Sequence, residues 1–338
     1  MLNEAVLYRL LLETKGQPPF PRFGDREAWQ AVSGRPAAAQ IRELAAKAAG
    51  RVWSICEESS WVVPAHLRGA VPDVDGPWID LFASGTAIDL AETDYLLGDL
   101  LPATVRTRIR LECRRRMIEP YLRRCDFWWL GPTGQVNNWN PASQLGVVAA
   151  ALYLCDDAAV QARVLAKVLA HLPAYLKSFD ADGCTSEGVK YWSGGFGKYF
   201  VLAHLVESRL PGCLDLLEGE RFRRICRYPV MLEMSPGHFV NFSDSDEETT
   251  ISAGIACALG RRCGVPALEE QGLRTTCPWS TGLSRGRDVR SPHRSQPATS
   301  VARPTRLCWS WQVPIRPRLG WSRYVAGCRC GVRLRLAR

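Results

Sequence analysis

Apolar residues recur at steps of three and four through most of the first 270 positions of this 338-residue chain. That spacing gathers them on one face of an α-helix. Residues 36–56 are an Ala-rich stretch of this kind, and residues 84–100 and 103–119 continue the series. Over 156–178, Val160, Val164, Val168, Leu172 and Leu176 fall at strict steps of four and draw a single stripe. Residues 198–209, 214–227 and 248–263 complete the predicted helices. The Arg-laden face of 103–119 reads as a solvated one. Few stretches alternate with period two, so strands should be scarce and the body should be all-α.

The connections are long, aromatic-rich and studded with Gly, Pro, Asn and Asp: residues 60–83, 126–142, 180–196 and 234–247. Segments of this kind usually carry function. Helices packed as successive antiparallel pairs around a ring would gather them at one rim, where Trp and polar side chains could line a groove for a sugar chain.

Composition changes the picture at two points. No window reaches the run of about 18 uncharged apolar residues that a membrane span needs, and Glu4 and Arg9 interrupt what would be a signal-peptide core. A cytoplasmic location is therefore expected, with cysteines such as Cys56, Cys113 and Cys226 as reduced, buried thiols. The net charge of +9 is also unevenly placed. Residues 271–338 hold 14 Arg, no Lys and a single acidic residue, Asp288, so that segment carries +13 and the remainder −4.

The same segment has four Trp, four Cys, six Pro and seven Ser, and follows neither the helical nor the strand period. A disordered basic arm should be poor in Trp and Cys. The bias is what out-of-frame translation of a GC-rich gene tends to produce, and residues 269–338 are set apart on that ground from a body of residues 1–268. The rival is an arm that neutralises phosphates and stacks on bases. Cys328 and Cys330 form a CxC without a second pair at zinc spacing. Neither a nucleic-acid partner nor a metal is expected.

Candidate chemistry concentrates in the loops. In 128–146, Asn140 before Pro141 reads as a helix cap, which leaves Asn137 and Asn138 in the loop just ahead of it. An amide there can donate to a carboxylate without adding charge. In 180–200, Asp182-Gly183 marks a turn, and Ser186-Glu187 starts a helical turn bearing Tyr191 and Trp192. Gly194, Gly195 and Gly197 then loosen it, so a long regular helix is not expected. His66 lies near Trp61, Glu57 and Glu58. His238, Asn241, Asp244 and Asp246 lack the Gly and terminal Glu of an EF-hand, and a helix cap at Ser245 or Asp246 explains them more simply.

Five motifs occur in order: W-x-x-P-A-H at 61–66, P-W-I-D-L-F at 77–82, N-N-W-N-P at 137–141, D-G-C-x-x-E-G-x-x-Y-W at 182–192 and F-V-N-F-S-D at 239–244. Together they resemble the heparinase II/III-like polysaccharide lyases over roughly residues 50–268. The resemblance implies an N-terminal (α/α) toroid followed by a β-sheet domain, and β-elimination of uronic-acid-containing polysaccharide or oligosaccharide without a cofactor. It implies that Asn137 or Asn138 neutralises the substrate carboxylate and that Tyr191 is the base and acid. His66 and Glu187 would bind or position substrate, and Trp139 and Trp192 would stack on sugars. The family's further histidine, from the β domain, has no counterpart here: His293 has no recognisable surroundings and His238 comes too early. The expected form is thus an incomplete toroid of impaired activity with apolar surface uncovered. Two alternatives are a glycoside hydrolase using Asp182 and Glu187 and a non-catalytic carbohydrate-binding remnant.

Overall fold

The computed structural model describes residues 38–276, except 70, 74–75, 132–133 and 135. The expectations for residues 1–37 and for the basic segment beyond residue 276 lie outside the described residues. Within them the chain is all-α apart from one two-stranded hairpin. The helices are α1 (Ala38–Glu57), α2 (Leu81–Leu97), α3 (Ala103–Cys113), α4 (Glu119–Arg123), α5 (Trp139–Leu154), α6 (Ala158–Lys177), α7 (Gly188–Tyr191), α8 (Gly197–Arg209), α9 (Glu220–Leu232), α10 (Ala253–Cys263) and α11 (Pro266–Thr276). Strands β1 (Glu233–Ser235) and β2 (His238–Phe239) pair antiparallel. None of the described helices is long and apolar enough to cross a membrane.

The core is organised around α5. Fourteen of its 16 residues are buried, and it packs against α2, α6 and α8. Because α5 is small or apolar on every side, it draws no stripe that periodicity could detect; a helix apolar all round belongs inside. It meets α2 almost backbone to backbone. A side chain at Gly146 would collide with Ser84, whose hydroxyl donates to the Ala142 carbonyl and accepts from the Gly146 N–H.

Several boundaries differ from the sequence expectation for local reasons. Asp80 starts α2 three residues early by accepting from the Ala83 N–H at 2.7 Å, a cap that contributes about 1 kcal/mol. Gly219, at φ 99°, delays α9 to Glu220. The segment 248–252 is extended, so α10 starts at Ala253, and Ser245 and Asp246 cap no helix of their own. Asn140 is structural but not a cap. It sits inside α5, donating to the Trp129 carbonyl and accepting from Gln144. The glycines of 194–197 do not end the helix either: α7 and α8 are joined by a π turn over Trp192–Phe196.

The arginines of 103–119 are not simply solvated. Arg106 and Arg110 pair with buried Asp94 at 2.9 and 2.8 Å, and buried Arg116 pairs with buried Glu112 at 2.6 Å. A buried carboxylate needs such partners, since an isolated buried charge is far costlier than a paired one. Hydrogen bonds from Arg115 and Arg116 hold the Glu112 carboxyl below its ordinary range against the opposing effect of burial. The body also runs past residue 268. In α11, Leu268 is fully buried, Gln271 donates to the Pro229 carbonyl and to Glu233, and Arg274 pairs with Glu233.

Candidate functional site

Two of the long loops converge on the start of α5. Asn137 closes a local turn, its Oδ1 accepting from the Trp139 N–H at 3.0 Å. Asn138 follows at the cap position without making a side-chain cap bond. Its N–H donates instead to the Glu187 carboxylate at 3.2 Å. Burial pushes the Glu187 carboxyl above the ordinary range, Asp244 adds to this, and the Asn138 N–H opposes it. Glu187 therefore positions the asparagine loop: a carboxylate at the N-terminus of α5 satisfies a free amide and faces the positive end of the helix.

On the opposite side, the turn carrying Tyr191 is clamped from outside. Ser245 Oγ accepts from the Lys190 N–H at 3.1 Å, and the Lys190 ammonium pairs with Asp246 at 2.7 Å. Gly188 adopts φ 80°, and a side chain there would strike Ser245. The motif at 239–244 and the residues just after it thus hold α7 in place. Gly195, in the π turn, lets that helix approach Asn138; a Cβ there would lie 2.7 Å from the Asn138 Cβ and 2.5 Å from the Tyr175 hydroxyl. A π turn inserted between Tyr191 and α8 is a feature often found at functional sites.

Between these pieces lies a cleft of about 300 Å³, whose lining includes Ser84, Asn138, Lys190, Tyr191, Gly194 and Lys198. Asn138 is 7 % exposed. Among the described residues, neither its side-chain amide nor the Tyr191 hydroxyl has a hydrogen-bond partner. The cleft thus holds an uncommitted amide and an uncommitted phenol. A smaller cavity, about 90 Å³, lies beside Trp61 and Trp78. Two of its guanidinium groups are already engaged, Arg116 with Glu112 and the Glu58 carbonyl, and Arg124 with Asp126 and the Gly76 carbonyl.

The other sequence candidates divide. His66 faces buried Asp80, Nδ1 to Oδ2 2.8 Å, and lies edge-on to half-buried Trp139 with ring centroids 4.8 Å apart; Trp128 lies 5.1 Å beyond. They form an aromatic ledge next in sequence to Asn138, with the imidazole oriented by a carboxylate. Trp192 is a correction. It is 0 % exposed, its indole N–H donates to the Ile225 carbonyl and its ring lies tilted against Phe196, so it belongs to the core and cannot face a sugar. Asp182 is exposed and occupied in its own turn, accepting from the Cys184 N–H, which holds its carboxyl low. Neither Asp182 nor Glu187 lines the cleft, as a hydrolytic carboxylate pair would.

Sequence reasoning missed Lys198, Ser84 and Gly195. The signal for Lys198 was its place four residues beyond Gly194 and seven beyond Tyr191, hidden by the expectation that the glycines loosen the helix. Burial pushes the Lys198 ammonium below its ordinary range, with Asp89 and Glu92 of α2 opposing. Glu92 is in turn pushed up to about 7, mainly by burial and then by Asp89. Among the described residues no group of three or more His, Cys, Asp or Glu side chains could hold a metal ion. A scan of the chain against protein-family models gives no match, and a search among curated proteins gives none either.

Proposed function

We propose that this chain is the helical part of a polysaccharide lyase-like protein, of the heparinase II/III-like type. Its ligand is a uronic-acid-containing polysaccharide or oligosaccharide held at the Asn138–Tyr191 cleft. The observation that carries the reading is the meeting of an amide and a phenol, both without protein partners, in one cleft. β-Elimination needs that combination. The C5 proton of a uronate becomes removable only when charge developing on its carboxylate is met by donors, and Asn138 supplies an uncharged one. Tyr191, as phenolate, takes the C5 proton; the C4–O bond breaks as the C4–C5 double bond forms, and the phenol returns the proton to the departing glycosidic oxygen.

Of the two asparagines, Asn138 fits the neutralising role better, because it lines the cleft, whereas Asn137 does not and closes a local turn at the Trp139 N–H. Glu187 then acts through Asn138 rather than on substrate. Trp139, with His66 behind it, offers the sugar-stacking surface. Ring closure into an (α/α) toroid belongs to the same reading. No histidine lines the cleft among the described residues, so turnover is expected to be weak. The test is incubation with heparan sulfate, hyaluronan or alginate while following the ultraviolet absorbance of the unsaturated uronate. Reducing sugar appearing without that absorbance would make the protein a hydrolase, and binding without either would make it a carbohydrate-binding remnant.

A further inference from the structure

Across the π turn, Tyr191, Gly194 and Lys198 follow at steps of three and four, and all three line the cleft. Gly194 is exposed, and a Cβ there would meet no atom within 4 Å, so the cleft is open at the position between Tyr191 and Lys198 in sequence. Two cations reach this space. Lys190 is spent on Asp246 at 2.7 Å. Lys198 is half-buried, and among the described residues it makes neither a hydrogen bond nor an ion pair within 4 Å. Asn138, 7 % exposed as a residue, lines the same cleft, and its side-chain amide has no protein partner among the described residues. A half-desolvated cation and an amide without a protein partner on one small cleft are what a planar anion would engage, since hydrogen bonds to charged groups are the strong ones.

We propose that Lys198 is the cationic anchor of this cleft, binding a carboxylate of an acidic sugar unit together with Asn138 and so selecting uronate-type over neutral saccharides. This rests on the reading of the cleft as a site for acidic saccharides, and adds the residue that sets its charge preference. The carboxylates that influence Lys198, Asp89 and Glu92, both belong to α2. Glu92 is held up to about 7 by burial, so near neutrality it carries only part of a charge and leaves the ammonium available to a ligand. The size of the cleft, at the lower end for small-molecule sites, suits one sugar unit rather than an extended segment.

The experiment is a calorimetric titration of the full chain with an oligomannuronate tetramer and with its carboxyl-reduced, neutral counterpart. Wild type is compared with Lys198→Met, Lys198→Gln and Lys198→Arg, whose far-ultraviolet circular dichroism and melting temperature are checked first. The arginines beyond residue 276 are the same in all four proteins, so their attraction for an anion cancels. The expected result is a loss of acidic-tetramer affinity of roughly tenfold or more in Met and Gln, with retention in Arg and no change for the neutral tetramer. Equal affinity of Lys198→Met and wild type for the acidic tetramer overturns the proposal, as does an equal loss for both ligands. If binding depends on Lys198 but wild type releases no unsaturated product, the anchor stands and the lyase chemistry falls. If product forms with an unchanged KM in Lys198→Met, the chemistry stands and the anchor falls. Failure of wild type to bind either tetramer removes both.

Discussion

At the scale of single residues, the sharpest contrast is between Asn137 and Asn138. They are neighbours in sequence, yet one closes a turn and the other faces the cleft. Asn138→Ala and Tyr191→Phe should each lower turnover of an acidic polysaccharide by about 10²–10⁴-fold, the usual cost of losing one stabilising donor or one proton-transfer group. Asn137→Ala should leave turnover within a few-fold and instead weaken the start of α5, at a cost of about 1 kcal/mol in urea unfolding. Equal losses of turnover in the two asparagine variants would contradict the assignment. Glu92 gives a pH prediction at the same scale. Its folded pKa, about 7, lies above the ordinary glutamate value, so the stability it contributes is complete at low pH and declines as pH rises toward and through 7. Glu92→Gln should flatten that decline, by on the order of 1–2 kcal/mol once solvent screening is allowed for, when unfolding at pH 5 and pH 8 is compared. The residue types at the site were legible, because amides, a phenol and aromatics stood out in Gly- and Asn-rich loops. Burial was not. Trp139 and Trp192 look alike in sequence, and only packing separates a half-exposed ledge from a core indole bonded to Ile225.

Among the elements, those with one apolar stripe were legible within a few residues, and α6 is the clearest: residues 156–178 were expected and Ala158–Lys177 is found. Helix α5 was read only from its entry, since a helix buried on all sides has no polar face to set its period. The π turn escaped because a glycine cluster looks like a break, whereas Gly195 is there to admit Asn138 and Tyr175. The cysteines were expected as scattered thiols, and Cys56 and Cys113 are buried and free. Cys226 of α9 and Cys263 at the end of α10, however, touch at Sγ–Sγ 2.8 Å. Accepting a hydrogen bond from Cys226 holds the Cys263 thiol below its ordinary range, and Arg262, Arg223 and Arg227 add to this. Two thiols in contact are a pair that peroxide oxidises: one, attacking through its thiolate form, becomes a sulfenic acid as peroxide is reduced to water, and the neighbouring thiol displaces a second water to close a disulfide. Treatment with hydrogen peroxide should therefore remove two hydrogens from the chain by intact mass, at these two positions on peptide mapping. The link spans 37 positions and should stabilise α9 against α10 by up to about 4 kcal/mol. A Cys226→Ser variant that still loses two hydrogens from the same peptide pair would refute the assignment.

For the whole molecule, the helix that crosses the compositional break carries the most weight. The composition breaks near residue 270, yet α11 continues through that break to Thr276 and packs against α9 and α10. Composition does not reveal this helix, because a run of arginines changes the charge count at once, while the apolar contacts of Leu268 and the hydrogen bonds of Gln271 leave no compositional trace. A chain ending after Gly264 should therefore unfold at lower denaturant than one ending after Thr276, since burial of Leu268 alone stabilises by about 1.5–3 kcal/mol. Glu233 would also lose its hydrogen bonds from Gln271 and Arg274. Against the 5–15 kcal/mol that typically holds a domain together, those losses are large, and the shorter chain should bind a hydrophobic dye and elute as aggregate. Removing residues 277–338 takes away 13 Arg and one Asp, which moves the net charge from +9 to −3. Low-salt retention on a polyanion resin should then disappear while any Lys198-dependent affinity for the short uronate survives. That pairing matters for how the cleft is judged. Attraction carried by the arginines is long-range, indifferent to sugar structure and screened by salt, whereas the proposed ammonium–amide pair in a cleft of about 300 Å³ would act on one carboxylate at contact distance. On the proposed reading, only the second kind of binding would place a C5 proton beside the Tyr191 hydroxyl.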